Sequence, residues 1–230
     1  MNALKVISFL NRRADLSLEA FSEYWRTIHR AHAMTLVEAG FIQGYIQNHP
    51  LGEHLPGLVP IADGSPELWI ETPERLQQLV ESAEYREGAG PDEANFTTPP
   101  VSACLARERI VLAGEPPADA VKLMLLVRRN PRVSADAFAE RWLAGESAPL
   151  LGGRPLRVTR HAQIGEEGAF DGAEFSWWPD LDNLRHAWQV RNSAAAGELI
   201  DRHWLRGLLA REEWVVRPEA CRQPLADLAL

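Results

Sequence analysis

One histidine in this sequence could move a proton. His29 lies four residues after Trp25 in a stretch with helical spacing, so both side chains can share one helix face. Histidine accepts or donates a proton near neutral pH, and Tyr45 or Asp63 could set which ring nitrogen carries it. Taken alone, however, His29 is better interpreted as a partly buried histidine that bonds to a backbone carbonyl.

Polar side chains on the following predicted strand could complete such a site. Tyr45 and Gln47 are two residues apart, so they point to the same side of a strand and could place a phenol and an amide beside His29. In isolation, a tyrosine that packs across strands is the simpler explanation of Tyr45, and Asp63 is typical of a turn. We expect His32, one helical turn beyond His29, at the surface or at a pocket rim.

A second group of candidates lies in the C-terminal half. Glu146 and His161 could form an acid–base pair if a helix and a strand bring them together. Trp142 and Trp177 could provide a flat apolar wall for the same pocket. Tryptophans with this spacing more often belong to a core, so both interpretations stay open.

Several classes of function lack their signatures. The sequence has no glycine-rich phosphate loop and no nucleophile elbow. His29 and His32 have a spacing that can serve a metal ion, but no third ligand is indicated nearby, so we expect no metal site. A net charge of -8 argues against nucleic acid and anionic membranes as partners, because both require a basic surface. Two cysteines without ligand spacing, no signal peptide and no membrane-spanning apolar run favour a cytoplasmic protein.

The elements that position these residues occur twice. The segment 17–25 recurs as 134–142, with Ser17 and Ser134 as helix N-caps and an aromatic pair at i and i+4 behind each. Each half then reads strand–helix–strand–strand–helix–strand, which predicts an antiparallel sheet with both helices on one face. A short Pro-rich linker over 113–119 separates the halves.

The remaining predicted elements follow the same order in both halves. The first strands are 5–10 and 122–127, the second strands 42–48 and 158–164, and the third strands lie around 68–70 and 175–177. The second helices are 73–87 and 181–209, and the last strands are 109–112 and 213–216. This alignment pairs Tyr45 with His161 and places Glu146 where the first half has His29.

A set of short motifs runs through the chain in a fixed order. They are Arg12-Arg13, Ser17…Phe21…Tyr24-Trp25…His29, Tyr45-Ile46-Gln47-Asn48, Asp63-Gly64…Glu67-Leu68-Trp69 and Ser82-Ala83-Glu84-Tyr85-Arg86. In this combination the chain resembles the EthD family of the dimeric α+β barrel superfamily, over residues 4–112 and, more weakly, 120–217. The resemblance implies an α+β fold of two ferredoxin-like βαββαβ repeats. Their antiparallel sheets would pack face to face as an intramolecular dimeric α+β barrel.

The resemblance also implies a domain division and a pocket in each half, between the first helix and the sheet. The division is an EthD-like repeat over 1–114, a degenerate repeat over 119–218 and a C-terminal tail over 219–230. In the first pocket we assign catalysis to His29 and Tyr45, and substrate binding to Trp25, His32, Gln47, Asn48, Asp63 and Trp69. The second pocket would be lined by Trp142, Glu146, His161 and Trp177.

Relatives in this superfamily are commonly cofactor-free enzymes or binding proteins for small aromatic, lactone or polyketide-like compounds. The resemblance therefore implies a small hydrophobic metabolite as partner and no cofactor. It favours proton-transfer chemistry of the isomerase, dehydratase or cyclase type, with His29 as acid or base. Two alternatives stay open: a non-catalytic binding or accessory protein for such a metabolite, and a haem-binding or oxygenase-type member. Two fused chains could also pair into a homodimer.

Overall fold

The computed structural model describes residues 4–145, 149–165, 168, 170–191 and 198–218. The N-terminal half carries strands β1 (Leu4–Phe9), β2 (Gly44–Pro50), β3 (Val59–Pro60), β4 (Ser65–Ile70) and β5 (Ser102–Leu112). Its helices are α1 (Leu18–Tyr24), α2 (Arg30–Glu38), α3 (Pro73–Glu81) and α4 (Gly90–Phe96), and two π-helical segments, Trp25–His29 and Tyr85–Ala89, precede α2 and α4. The C-terminal half carries β6 (Val121–Arg129), α5 (Ala135–Ala144), β7 (Arg157–Gln163), β8 (Gly172–Trp178), α6 (Leu181–Gln189) and β9 (Ile200–Val216).

Eight of these strands close into one antiparallel barrel. The first half contributes the order β2-β4-β1-β5 and the second half the equivalent order β7-β8-β6-β9. The two sheets join between β5 and β7 and again between β9 and β2. At both junctions the last strand of one half pairs with the second strand of the other half. Two ferredoxin-like βαββαβ units thus form an α+β barrel within one chain, and the predicted fold class is confirmed.

The first helices of the two halves begin alike and end differently. Ser17 and Ser134 each accept a hydrogen bond from the backbone N–H three residues on, at 3.1 and 3.3 Å, which confirms both predicted N-caps. Helix α5 then stops at Gly145, whose φ of 77° is left-handed. In the first half the chain instead continues as a helix through the π-helical segment and α2 to Glu38. Only the first half therefore extends its helix past the position of His29.

The interior of the barrel contains a buried charged network that links the two halves. Lys5 and Lys122 occupy equivalent places and lie over the rings of Trp69 and Trp177, at 4.2 and 4.5 Å. The carboxylate of Glu67 accepts hydrogen bonds from both lysines, with 2.8 Å to Lys5. Burial would raise the pKa of Glu67, but the charges of Lys122 and Lys5 outweigh it and hold the pKa well below its usual range. Apolar side chains from both halves complete this core, including Ile7, Phe9, Met124, Leu126, Phe175 and Leu208.

The last helix and strand of the second half differ from the prediction. Helix α6 ends at Gln189, and the helix predicted over 181–209 is wrong from Ile200 onward, because those residues belong to β9. Leu205, Leu208 and Leu209 have helical spacing, but pairing with β6 holds this segment in a strand.

The other predicted boundaries are the start of the last strand of the first half and the division into domains. Strand β5 begins at Ser102, earlier than the predicted strand over 109–112. The division into 1–114 and 119–218 stays a prediction, and the predicted tail over 219–230 lies outside the described residues.

None of the described helices has both the length and the apolar character that crossing a bilayer requires.

Candidate active site

A pocket lies between the first sheet and the helices of the N-terminal half. It holds about 550 Å³ of free space, part of it open to solvent. Both π-helical segments contribute to its wall, and such segments occur frequently at functional sites. The wall is mainly apolar, and its side chains with polar atoms are Ser8, Trp25, His29, Tyr45, Tyr85 and Glu93.

His29 ends the first π-helical segment and is held by Asp92 of α4. Its Nδ1 lies 2.9 Å from Oδ2 of Asp92, while Tyr24 and Asn95 donate hydrogen bonds to Oδ1 at 2.7 and 3.0 Å. Burial would raise the pKa of Asp92, but the hydrogen bonds from Tyr24, Asn95 and His29 outweigh it and lower that pKa. The carboxylate is therefore ionised and accepts a proton-bearing partner, so Nδ1 of His29 carries the proton and Nε2 keeps its lone pair.

Burial decides the charge of His29. Removal from water lowers the pKa of the imidazole and outweighs the opposite effect of Asp92, and His32 lowers that pKa further. Within the described part of the chain, Asp92 is the only side chain hydrogen-bonded to His29. A neutral imidazole with an unpaired Nε2 beside an apolar pocket has the form of a general base.

Tyr45 is a second polar residue in the pocket wall. Its oxygen accepts hydrogen bonds from Nε1 of Trp25 at 3.0 Å and from Nε2 of Gln47 at 2.8 Å. The Gln47 amide also donates to the backbone carbonyl of Trp25, at 3.1 Å, and this contact fixes which end of the amide is the nitrogen. Burial raises the pKa of Tyr45 to about 12, so the phenol keeps its proton. Its oxygen accepts both of these hydrogen bonds, so neither of them uses the phenol proton.

The structure gathers four of the predicted residues and places a fifth nearby. Trp25, His29 and Tyr45 line the pocket, and Gln47 is buried behind Tyr45. His32 is partly exposed, and its Nε2 lies 4.0 Å from Oδ1 of Asp92, which corresponds to the predicted rim position.

Other predicted residues do not line this pocket. Asn48 and Trp69 face the barrel interior, where Asn48 donates to Glu67 at 2.9 Å and Trp69 stacks on Trp214. Their assignment to substrate binding in this pocket is wrong, because alternate residues of a strand face opposite sides. Asp63 instead accepts a hydrogen bond from the backbone N–H of Arg12 at 3.0 Å, as expected for a turn.

The second-half candidates that the structure describes do not line a common pocket either. Strand β2 begins opposite Trp69, and β7 begins opposite Trp177 in the same way. Counting from these pairs, His161 corresponds to Asn48, so its predicted alignment with Tyr45 is wrong. His161 is buried among the barrel charges, and burial lowers its pKa to about 3. Trp177 also faces the barrel, so neither side chain lines a pocket beneath α5.

An ion pair occupies the place beneath Trp142. Arg160 is the counterpart of Gln47, and its guanidinium lies 4.4 Å from the ring of Trp142. Its Nε lies 3.0 Å from Oε2 of Glu174, and both side chains are almost fully buried. Glu146, the predicted acid of this half, lies outside the described residues.

Three residues of the pocket region were not predicted from the sequence. Tyr85 lies within the helix predicted over 73–87 but had no predicted role, while Asp92 and Glu93 lie beyond that helix, where no element was predicted. Pro91 lies in the first turn of α4, where proline is tolerated, and is followed by the two acidic residues. Proline followed by acidic side chains is a helix-start signal that could have predicted α4.

The described pocket residues do not fit a haem. His29 could offer an axial nitrogen, but no lysine or arginine is among the described lining residues to pair with the haem propionates. Glu93 adds a further acidic group to this wall. Across the described residues, no group of three or more His, Cys, Asp or Glu side chains is arranged to hold a metal ion.

Comparison with known proteins identifies the unit that carries this pocket. Residues 13–100 match the sequence profile of the EthD domain family. Over this segment the chain is similar to an EthD domain. The matched segment includes both π-helical segments, His29 and its partner Asp92. No curated protein sequence matches the chain significantly.

Solved structures share the fold well beyond the EthD-like segment. An anthrone oxidase-like protein superposes with a TM-score of 0.63 at 13% identity, covering 95% of each chain. A protein from Lactobacillus acidophilus NCFM, described provisionally as a monooxygenase, gives 0.54 at 9% identity and covers 94% of this chain and 97% of its own. Chlorite dismutase from Candidatus Nitrospira defluvii gives 0.52 at 13% identity, covering 92% and 91%. At such identities the similarity shows the fold alone.

Proposed function

We propose that this chain is an enzyme that moves a proton on a small hydrophobic metabolite, without a cofactor, in the pocket of its EthD-like segment. The observation that carries the proposal is the environment of His29. The imidazole is buried at an apolar pocket, its Nδ1 is held by Asp92, and its Nε2 has no partner among the described residues. Such an imidazole can take a proton from an acidic C–H or O–H group, and Asp92 stabilises the imidazolium that forms.

Tyr45 supplies the complementary group for this reaction. A C–H bond next to a carbonyl becomes acidic when the negative charge that develops on the oxygen is stabilised. The Tyr45 hydroxyl would donate to that oxygen, and the donors Trp25 and Gln47 polarise the phenol further. The substrate is therefore an apolar carbonyl compound, and isomerisation, dehydration and cyclisation can all begin with this proton removal.

Exchange of C–H protons for deuterium in 2-tetralone, a bicyclic ketone, tests the proposal. We expect the wild type to accelerate this exchange in D2O, measured by proton NMR, and His29→Gln to lower the acceleration by about 100-fold or more. His186→Gln, on the exposed side of α6, is the matched control and should keep the wild-type rate. No acceleration by the wild type, or equal acceleration by His29→Gln, would refute the proposal.

A carrier for the same class of metabolite is the alternative that the pocket supports. Its apolar wall and the Tyr45 proton would hold a ketone without any need for a base. Calorimetric binding of 2-tetralone that is equal in the wild type and His29→Gln, without exchange, would identify a carrier. Pairing of two fused chains and a cytoplasmic location stay predictions.

A further inference from the structure

A carboxyl group with no assigned role lines the same pocket as His29. Glu93 lies in the first turn of α4, beside Tyr85 of the second π-helical segment. The Tyr85 hydroxyl donates to Oε1 of Glu93 over 3.4 Å, and no other described side chain is hydrogen-bonded to this carboxyl group. Removal of a proton by His29 does not require Glu93.

Neighbouring carboxyl groups on α4 have opposite environments. Asp92 is bonded to His29, Tyr24 and Asn95, and these contacts lower its pKa. Burial raises the pKa of Glu93, and the charge of Asp92 adds to this, while the hydrogen bond from Tyr85 acts in the opposite direction. Pairs of titratable groups whose surroundings separate their pKa values are typical of sites with distinct acid and base roles.

We propose that Glu93 is the catalytic acid of a 1,3-proton shift that His29 begins, and that the substrate class is the β,γ-unsaturated ketones. The inference rests on the proposed function, since His29 and Tyr45 act as described there. His29 and Glu93 come from different helical elements of one pocket wall, so they can serve two different carbon atoms of a ligand.

The steps balance without an oxidant or a reductant. Nε2 of His29 takes the proton from the carbon between the carbonyl and the double bond, and the C–H electron pair forms a dienolate whose oxygen accepts a hydrogen bond from Tyr45. Glu93 gives its proton to the γ carbon, the double bond moves into conjugation, and the carbonyl re-forms. The proton on His29 then returns to the Glu93 carboxylate through solvent water, which restores the enzyme.

The probe for this reaction is 3-cyclohexen-1-one, whose conversion to 2-cyclohexen-1-one is followed by the ultraviolet absorbance of the conjugated product. We expect Glu93→Gln to lower this isomerisation by about 100-fold or more. The same variant should lower the deuterium exchange of 2-tetralone far less than it lowers the isomerisation, because exchange needs only the base. Glu87→Gln, an exposed neighbour on the second π-helical segment, is the matched control and should change neither reaction.

A pH profile separates a catalytic role from a structural one. Tyr85→Phe removes the hydrogen bond that favours the ionised form of Glu93, so the pH at which isomerisation declines should move upward.

Each contrary outcome has a defined meaning. Wild-type isomerisation in Glu93→Gln, loss of both reactions in that variant, or an unshifted profile in Tyr85→Phe would overturn the role of Glu93. A wild type that exchanges 2-tetralone but does not isomerise the enone would overturn the substrate class. A wild type with neither reaction would remove the proposed function itself.

Discussion

The two halves of this barrel share a topology but use the space beneath their first helices differently. In the first half, Gln47 supports Tyr45 behind a pocket that contains His29. In the second half, Arg160 stands where Gln47 does and forms a buried ion pair with Glu174. Two units of one fold can therefore complete one barrel while different side chains fill the corresponding space in each.

Helix length adds to this difference. In the first half, the π-helical segment continues the helix and places His29 at the pocket. In the second half, α5 ends at Ala144, two residues before the sequence position that corresponds to His29. Under the proposed function, proton transfer belongs to the first half, and the second half supports the barrel.

The largest effect is expected from breaking the second-half ion pair. Arg160→Gln introduces the side chain that the first half carries and leaves Glu174 buried without its cation. We expect the free energy of unfolding to fall by about 3–5 kcal/mol, measured by urea denaturation. The double variant Arg160→Leu/Glu174→Leu removes both charges and should recover most of the loss. Wild-type stability of Arg160→Gln would show that the pair contributes nothing to the second half.

The next largest effect on stability is expected at His161, the counterpart of Asn48 in the barrel. Burial lowers the pKa of His161 to about 3, against 6.5 for an ordinary histidine, so the folded chain binds fewer protons between these values. Above pH 6.5 the free energy of unfolding does not depend on protonation of His161. It decreases as the pH falls from 6.5 towards 3, because the unfolded chain binds the proton and the folded chain does not. His161→Asn copies Asn48 of the first half and removes this titration. When the pH falls from 7 to 4, the free energy of unfolding of the wild type should therefore decrease by on the order of 3 kcal/mol more than that of His161→Asn. Urea unfolding at both pH values measures this, and an identical pH dependence would contradict it.

A smaller loss of stability is expected when Gln47, the buried amide of the first half, is replaced. Gln47→Met removes the side-chain donor of the Trp25 carbonyl, which keeps only the backbone N–H of Arg30, and it removes a donor from Tyr45. We expect unfolding to become easier by about 1–3 kcal/mol, measured by urea denaturation. Gln43→Met, at an exposed position, is the control and should stay within about 0.5 kcal/mol of the wild type. Equal stabilities of the two variants would show that the buried amide is dispensable.

The smallest expected effect is a shift in a pH profile. Asp92 raises the pKa of His29, although burial outweighs it, so Asp92→Asn should lower that pKa further. The acid limb of 2-tetralone exchange should then move to lower pH, since His29 stays unprotonated over a wider range. Asp182→Asn, exposed on α6, should leave the profile in place. A limb that moves to higher pH would contradict the assignment of Asp92 as the partner of His29.

The fold could be predicted because its signals are local and occur twice. Ser17 and Ser134 with their aromatic pairs indicate equivalent helices, and the apolar strands around them follow one order. The end of the last helix could not be predicted in this way. Leu205 and Leu208 have helical spacing, and only their pairing with a distant strand decides for β9.

The site could be predicted only in part. The helical spacing of Trp25 and His29 and the alternation of Tyr45 and Gln47 are visible in the sequence. The same alternation excludes Asn48 from the face of Tyr45 and Gln47, whereas the closed barrel decides which of the two faces meets the helices. The partner of His29 lies 63 residues away along the chain, and no local pattern links two such positions.

The protonation of the His29 ring distinguishes a general base from a charged histidine. Nitrogen-15 NMR of the histidine rings reports the protonation of each nitrogen, and His29→Gln assigns the signals. At neutral pH we expect His29 to carry its proton on Nδ1 and a lone pair on Nε2, and we expect it to titrate below an ordinary histidine. A charged imidazolium at neutral pH, or a proton on Nε2 with Nδ1 bare, would contradict this expectation.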